Sequence, residues 1–413
     1  MTNKSLSTIA AIMLSTMTFA GNRVTITVTN TTNTNRSFEV VETNAEKIRQ
    51  KLGSDTFIIT DADGKEISSQ LTHDGKLLFQ ASVGEKGKSV YYAETGTPKE
   101  YSKQTKGRLF TERTDEFGWE NDRVAYRIYG HGGAVGYDLF NKSTSDLMLD
   151  YWYASEQNQE MRNVTKQLRE RGYGDLADDV YNVFCYHIDH GKGMDCYTVG
   201  PTLGAGGDAL VNKDGSLCMP KCYEKYEVLD NGPLRFTVKL TYPETEYEGQ
   251  KIRETRVITL DAGSQFNKVS ISYDGLSSPA DIASGVVVHK QNPNAYVLNT
   301  TQGYIGYEDL GDVGTYSYIN KRYHEKLGSE MGNIYVGTIY PSKIAKTEFQ
   351  ARENGAAIGH ALAIAPYSTS FTYYFGTGWS KNPNTNFHSL ADWEAYLQKR
   401  SKEIKSPMKV SVK

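Results

Sequence analysis

This chain lacks long apolar runs after its first residues, and neither sign of charge is in clear excess. After Ala20, no stretch approaches the ~20 consecutive apolar residues that a membrane-spanning helix requires. The 46 lysines and arginines nearly balance the 49 aspartates and glutamates. This balance argues against nucleic acid or an anionic membrane as the main partner. A neutral or locally charged substrate fits the composition better.

The first residues have the pattern of a secretory signal peptide. Lys4 precedes a short apolar run, and small residues lead to Ala20. This order predicts a signal peptide at 1–20, cut near Ala20. No cysteine follows the apolar run, which argues against a lipoprotein signal. We therefore expect a periplasmic or secreted protein.

Cysteine is also scarce, and its placement favours disulfides. The four cysteines are Cys185, Cys196, Cys218 and Cys222. In an exported chain such thiols usually oxidise, so we expect one or two disulfides, with the pairing left open. A zinc site formed by Cys218 and Cys222 with His187 and His190 is disfavoured, because the usual C-x2-C pair is missing.

Helical periodicity is rare, and period-two alternation is common. The segments 164–171 and 392–402 are the two convincing helix candidates, the second beginning after Ser389. Strand-like runs lie at 23–29, 124–129, 235–242, 253–260, 268–273, 285–289, 361–364 and 369–375. The 38 glycines and 29 tyrosines suit long antiparallel strands. We predict an all-β protein, with two strands of 256–273 forming a hairpin.

The domain organisation follows from one polar break. Residues 95–104 carry turn-forming residues and no periodicity, which indicates a linker. We expect a small N-terminal β-domain at 21–100 and a large antiparallel β-sandwich at 105–408.

The segment 186–196 carries the densest set of chemically active side chains. Its candidate catalytic residues are Tyr186, His187, Asp189, His190 and Asp195, and Lys192 is a candidate substrate ligand. Histidine, tyrosine and carboxylates transfer protons near neutral pH. Glycines interrupt this segment and the following 200–207, as is common in functional loops. A polar surface loop is the structural alternative.

A second set surrounds the predicted strand at 124–129. Arg123 and Arg127 point to one face if both lie on that strand. Two guanidinium groups there could bind a uronate carboxylate bidentately, with Glu120 nearby. The alternative is a structural ion-pair set among Glu120, Asp122 and Arg123.

Aromatic and basic residues elsewhere complete the candidate binding set. Trp119 and Trp379 are flanked by glycines and could stack on sugar rings, although core packing is the alternative. Tyr242 is a candidate acid, and His289 ends an apolar run. The cluster at 321–324 is either a rim contact for an anionic sugar or a solvated loop.

Four segments together resemble a known bacterial family. These segments are 118–130, 187–207, 254–257 and 373–381. They are similar to the family called domain of unknown function 4861. The resemblance implies a role in polysaccharide utilisation, because members of this family occur together with unsaturated glucuronyl or rhamnogalacturonyl hydrolases. It also implies a fold similar to the large β-sandwich of galactose mutarotases. It supplies no assigned catalytic residues, and likeness of fold does not define a reaction.

The residues and the resemblance favour lyase-type elimination on a uronate-containing oligo- or polysaccharide. Arg123 or Arg127 would neutralise the carboxylate, His187 or His190 would act as base, and Tyr186 or Tyr242 would act as acid.

Three other functions remain open. A hydrolase would use two carboxylates from among Asp189, Asp195, Glu120 and Glu254. An epimerase would combine His187 or His289 with Asp195 or Glu254. A non-catalytic protein would present the same face to a glycan. No cofactor is required, and a divalent cation such as calcium at Asp189 and Asp195 is the metal alternative.

Overall fold

The computed structural model describes residues 23–113, 115–133, 135–312 and 331–413. The predicted signal peptide at 1–20 and the basic cluster at 321–324 lie outside the described residues. Within the described ranges, no helix combines the length and the apolar character of a membrane-crossing segment.

The N-terminal part is a pair of small sheets around one helix. Its elements are β1 (Arg23–Thr29), β2 (Arg36–Asn44), α1 (Ala45–Leu52), β3 (Phe57–Thr60), β4 (Glu66–Ile67), β5 (Ser69–Leu71), β6 (Lys76–Val83) and β7 (Lys88–Thr95). Val24, Ile26 and Val28 of β1 are buried at alternate positions, as a half-buried strand requires. The C-terminal strand β27 (Lys409–Val412) pairs antiparallel with β1. The chain end therefore completes the N-terminal sheet, which the sequence did not predict.

A third sheet and three helices follow the predicted linker. The elements are β8 (Thr105–Phe110), β9 (Glu116–Asn121), β10 (Ala125–Tyr129), β11 (Asp138–Lys142), α2 (Leu149–Glu156), α3 (Gln159–Glu170), α4 (Gly174–Asn182) and β12 (Gly193–Met194). The predicted helix at 164–171 falls largely within α3, which begins earlier because the Asn158 side chain caps the Met161 amide. The helices α1, α2 and α4 were not predicted.

Two large antiparallel sheets form the rest of the molecule. Their strands are β13 (Asp208–Val211), β14 (Leu217–Cys218), β15 (Lys225–Asn231), β16 (Arg235–Thr241), β17 (Thr245–Tyr247), β18 (Gln250–Asp261), β19 (Phe266–Asp274), β20 (Ala280–His289), β21 (Tyr296–Asn299), β22 (Tyr304–Leu310), β23 (Asn333–Ile339), β24 (Lys346–Asn354), β25 (Ala357–Tyr367) and β26 (Phe371–Trp379). One sheet has the order β14-β13-β20-β25-β24. The other has the order β15-β16-β18-β19-β26-β23-β22-β21, with β17 beside β18.

The main core joins these two sheets. Val286 and Val288 of β20 belong to the same buried cluster as Ile305 of β22 and Val336 of β23. The helix α5 (Leu390–Lys405) packs Trp393 against a second cluster on the larger sheet. The sequence predicted an all-β protein, and the structure confirms a mainly-β, antiparallel architecture that also contains helices.

Two local predictions are also confirmed. The hairpin at 256–273 is formed by β18 and β19, where Arg256 pairs with Ile271 across the turn. The helix predicted after Ser389 is α5, and the Ser389 hydroxyl accepts a hydrogen bond from the Asp392 amide. Both signals are local, because a tight turn and a helix cap involve only neighbouring residues.

The disulfides expected for Cys185 and Cys196 are not present in the described structure, where both residues are free and buried, so this part of the prediction is wrong. Cys196 is buried, and its sulfur accepts a hydrogen bond from the Asn141 side chain at 3.2 Å. Burial raises the pKa of Cys185 to about 12 and also raises the pKa of Cys196. Both thiols therefore stay protonated, which is the unreactive form.

Candidate functional site

Arg127 lies at the centre of a buried polar cluster. It is on β10 directly opposite Asp138 of β11, and its Nε donates to Asp138 Oδ2 at 2.8 Å. Its Nη2 donates to Asp195 Oδ2 at 2.7 Å, and its Nη1 to the Tyr186 hydroxyl at 3.3 Å. Only 4% of Arg127 is exposed. We call Arg127, Asp138, Tyr186, His187 and Asp195 the Arg127 cluster.

The Arg127 cluster holds two carboxylates around one guanidinium group in a water-poor setting. Burial raises the pKa of both Asp138 and Asp195, while the Arg127 charge opposes that rise. Burial alone would lower the pKa of Arg127, but the two aspartates hold it well above its usual value. A buried charge needs an opposite charge and hydrogen bonds close by, since it has lost its water.

The segment 186–196 is folded so that its two ends meet at Arg127. The Asp195 amide donates to the Tyr186 carbonyl at 2.9 Å and closes the loop. Inside the loop, Asp189 Oδ1 accepts the amides of Gly191 and Gly193 at 2.8 Å and 3.0 Å. Both glycines have positive φ values, 88° and 118°, which glycine adopts with little strain.

His187 is neutral at physiological pH in this structure. Its Nδ1 lies 2.9 Å from the Asp195 carbonyl oxygen, which can only accept, so Nδ1 carries the proton. The residue is 3% exposed, and burial lowers its pKa to about 4. Nε2 is therefore the basic nitrogen of the ring.

An open cavity of about 740 Å³ lies beside the Arg127 cluster, among α2, α3 and α4. Its charged lining residues are Glu112, Arg113, Glu156, Arg162, Lys166, Arg169 and Glu170. We call it the helical cavity. Cations outnumber carboxylates by four to three in this lining, so the cavity suits a ligand with a negative group.

Glu156 is the buried carboxylate of the helical cavity. It is 5% exposed, and its Oε1 accepts the Tyr181 hydroxyl at 2.6 Å and Arg162 Nη2 at 2.9 Å. Its Oε2 has no hydrogen-bond partner among the described residues. Burial raises the pKa of Glu156. A carboxyl with a raised pKa in a cleft is a typical acid or base.

Arg113 connects the helical cavity to the Arg127 cluster. Its Nε lies 3.3 Å from Glu116 Oε1, and its guanidinium lies 5.7 Å from the centre of the Tyr186 ring. About a third of the Arg113 side chain is exposed. It is therefore able to contact a ligand, whereas Arg127 is not.

Glu120 holds the start of a helix. Its carboxylate accepts the amides of Met148 and Leu149 at 2.7 Å each and lies 2.9 Å from Lys142 Nζ. The Glu120 and Lys142 side chains are both fully buried. Glu120 thus anchors the beginning of α2 and has no open surface for a substrate, which corrects the predicted binding role.

Trp119 and Trp379 are core residues. Trp119 Nε1 donates to Asn267 Oδ1 at 2.8 Å, and Trp379 Nε1 donates to the Met331 carbonyl at 2.8 Å. Both rings are buried. Neither presents a ring face to a sugar in this structure, so the predicted stacking role is corrected in favour of core packing.

Arg123 does not share a face with Arg127, as the sequence had suggested. It precedes β10, and its amide donates to Asn121 Oδ1 at 2.7 Å within a turn. Its side chain is partly exposed beside Asp122, 3.4 Å away. The two guanidinium groups therefore cannot act as one clamp.

The other loop residues do not converge on His187. His190 Nε2 lies 3.1 Å from the Cys185 carbonyl, and Asp189 Oδ2 lies 3.6 Å from Lys381. Lys192 is paired with Asp146 at the surface. Their catalytic or binding roles stay predictions.

Tyr242 and His289 belong to two further buried clusters. The Arg256 guanidinium lies 4.5 Å from the centre of the Tyr242 ring. His289 Nδ1 lies 2.7 Å from Asp309 Oδ2. Among the described residues, no group of three or more histidine, cysteine or acidic side chains is placed to hold a metal ion.

Sequence reasoning missed the residues that line the helical cavity. Arg113, Glu156 and Tyr181 lie on a turn and two different helices, and no local motif marks them. The helix α2 begins without a side-chain cap of its own, because Glu120 from β9 binds its first amides. The sequence around α2 therefore lacks the local capping residue that usually marks the start of a helix.

The fold and site define a mainly-β protein of antiparallel sheets, with a buried arginine–carboxylate cluster beside a charged cavity. Residues 28–410 match the family model described as Domain of unknown function (DUF4861), and the chain belongs to this family. The uncharacterized protein P7 of Formosa agariphila is 28% identical over 415 aligned residues, which cover 94% of this chain and 93% of that protein.

Solved structures give weaker similarities. An alpha-mannosidase from Enterococcus faecalis V583 is 10% identical, with a TM-score of 0.48 over 96% of this chain and 46% of that chain. A putative kojibiose phosphorylase from the human microbiome is 13% identical, with a TM-score of 0.27 over 47% of this chain and 25% of that chain. This chain spans less than half the length of either protein, and similarity at this level assigns no activity.

Proposed function

We propose that this protein is an exported carbohydrate-active enzyme that acts on a uronate-containing saccharide in the helical cavity by β-elimination. The observation that carries the proposal is Glu156, a buried carboxyl with a raised pKa, surrounded by arginines in a cavity of about 740 Å³. We also propose that its large domain is a β-sandwich of the galactose mutarotase type. The protein would act in the periplasm or in the medium.

The arginines of the helical cavity would bind the uronate carboxylate. Arg113, Arg162 and Arg169 are each about one-third exposed, so a substrate can reach them. Guanidinium groups bind carboxylates through paired, charge-assisted hydrogen bonds. This neutralisation makes the proton on the adjacent carbon easier to remove.

Glu156 and Tyr181 would transfer the protons. The Glu156 carboxylate would take the proton from C5 of the uronate, and the electron pair would form the C4=C5 double bond. The bond between C4 and the leaving oxygen would break, and the Tyr181 hydroxyl would protonate that oxygen. All four side chains are largely buried, but Glu156 and Tyr181 line the cavity, whereas Tyr186 and His187 do not. For this reason the proposal assigns the base and acid to Glu156 and Tyr181.

Hydrolysis is the second candidate because the same cavity contains three carboxylates, Glu112, Glu156 and Glu170. Two carboxyl groups on opposite sides of a glycosidic bond are the usual hydrolytic pair. In that reaction water enters the product, and no double bond forms.

The test is turnover of polygalacturonate, alginate and glucuronoxylan, followed by the ultraviolet absorbance of an unsaturated uronate and by a reducing-end assay. Elimination raises both signals, and hydrolysis raises only the second. Glu156→Gln should reduce turnover by ~100-fold or more, as removal of a general base does. Glu160→Gln is the matched control, because that side chain is exposed on α3 and does not line the cavity.

Two results would contradict the proposal. Full activity in Glu156→Gln would exclude the assigned base. Absence of both signals on all three polymers would leave a binding protein or an epimerase as the better description.

A further inference from the structure

A second large groove shares no lining residue with the helical cavity. It has a volume of about 810 Å³ and runs between β2, the larger sheet and α5. Its floor contains one row of side chains across four neighbouring strands: Thr237, Thr259, Lys268 and Tyr374. Neighbouring strands are about 4.8 Å apart, so the row spans about 14 Å. An extended ligand fits such a row. We call this the Phe38 groove.

Phe38 projects into solvent at the edge of this groove. It is 70% exposed and has a φ of 51°, at a point where the pairing of β2 with β6 shifts register. An aromatic residue with positive φ is a genuine outlier and implies strain. The strain is held by two side chains: the Phe38 amide donates to Ser82 Oγ at 3.0 Å, and Gln80 Nε2 donates to the Phe38 carbonyl at 3.1 Å. The fold therefore holds an aromatic ring in water at a fixed position.

Thr237 is an independent indication of a ligand. It is only 3% exposed, it lines the Phe38 groove, and its hydroxyl has no hydrogen-bond partner among the described residues. A buried hydroxyl without a partner is costly, and buried polar groups are normally satisfied. A hydroxyl-rich ligand in the groove would satisfy it.

The charges of the groove are mostly paired within the protein. Arg235 pairs with Asp261 at 2.6 Å, and Arg400 pairs with Glu403 at 2.6 Å. Lys268 lies in the central row and has no ion pair with any described residue. The groove thus presents one available cation among compensated charges, which disfavours a highly charged polymer such as nucleic acid.

We propose that the Phe38 groove binds a saccharide chain at a site separate from the helical cavity. The Phe38 ring would stack on the apolar face of a sugar, the Thr237 hydroxyl would bond to a sugar hydroxyl, and Lys268 would bind a hydroxyl or a carboxylate. The choice of a saccharide rests on the proposed function. The site itself rests on the geometry of the groove.

The test is affinity electrophoresis of the full chain in gels containing polygalacturonate, alginate or glucuronoxylan, and in a gel without polymer. We expect at least one polymer to retard the protein. Phe38→Ala and Thr237→Val should each weaken that retardation tenfold or more. Tyr151→Ala is the matched control, since Tyr151 is 59% exposed and lies outside the groove.

The outcomes separate this inference from the proposed function. Retardation that depends on Phe38, in a protein without turnover, supports the groove and contradicts the proposed enzyme. Turnover with unchanged retardation of Phe38→Ala contradicts the groove and supports the enzyme. Absence of retardation by all three polymers overturns the groove. Melting curves check folding, and Phe38→Gly, which relieves the positive φ, provides a second variant that should fold at least as well.

Discussion

Arg127 and Asp195 form an ion pair of 2.7 Å in the interior, between β10 and the end of the loop at 186–196. Because Asp138 binds the same guanidinium at 2.8 Å, the loop is attached to a sheet that already holds one opposite charge. In the described structure, Arg127 therefore attaches the loop to the sheet and positions it beside the helical cavity.

Replacement of Arg127 by methionine should be strongly destabilising. Arg127→Met leaves Asp138 and Asp195 buried without their cation, and breaking a buried pair in this way costs about 3–5 kcal/mol. Urea unfolding measures the change. Arg123→Met is the control, because a partly exposed arginine should change stability by no more than ~0.5 kcal/mol. Equal effects of the two substitutions would contradict the central place of Arg127.

His187 should make stability depend on pH. Its pKa in the folded protein is lowered to about 4, below the ~6.5 of an unfolded histidine. Between these values the unfolded chain binds more protons, so stability rises with pH and is lost as pH falls. The loss from this group between pH ~6.5 and ~4 is about 3 kcal/mol.

His187→Gln removes the titration while keeping a donor for the Asp195 carbonyl. Urea unfolding of both proteins across that pH range should give a flatter dependence for the variant. Parallel curves for the two proteins would show that folding does not lower the pKa of His187, which would contradict this prediction.

Glu120 should be essential for stability rather than for substrate binding. Glu120→Ala leaves the buried Lys142 without a counter-charge, at a cost of about 3–5 kcal/mol. The double variant Glu120→Ala with Lys142→Met should lose less than the sum of the single variants, because the two residues are coupled. Chemical unfolding of the three variants measures this. A stable Glu120→Ala protein with weakened saccharide binding would support the original substrate role.

The two loop glycines should differ sharply in their tolerance of alanine. A Cβ on Gly193 would lie 1.9 Å from the Asn141 carbonyl oxygen, whereas a Cβ on Gly191 would meet nothing within 4 Å. Gly191→Ala should cost about 1 kcal/mol from its positive φ. Gly193→Ala adds a backbone collision and should cost above ~4 kcal/mol. Thermal melting compares them, and similar melting temperatures would contradict the described loop.

The elements predicted correctly are those with local causes. The strand Arg23–Thr29 follows from apolar β-branched residues that alternate with threonines, and α5 follows from the Ser389 cap. The helix α2 was missed because its first amides are bound by Glu120 of another strand. Its stability depends on a contact that a local pattern does not contain.

Within the candidate site, sequence analysis identified several chemically important residues. It did not show which of them contact one another or how deeply they are buried. Arg127, Tyr186, His187 and Asp195 were all selected, and all four meet in the Arg127 cluster. Their burial was not predicted, and burial decides which of them a substrate can touch. Glu156 carried no signal, because its raised pKa comes from the tertiary environment.

The amino-acid sequence by itself determined the mainly-β class, the long hairpin, the last helix and the family. Each depends on patterns between near neighbours or on similarity along the whole chain. Tertiary structure alone decided that Cys185 and Cys196 are buried, that Trp119 and Trp379 are core residues, and that Glu156 faces a cavity. The reason is physical: exposure, pairing and pKa depend on which distant segments exclude water from a side chain, and that is a property of the packed fold.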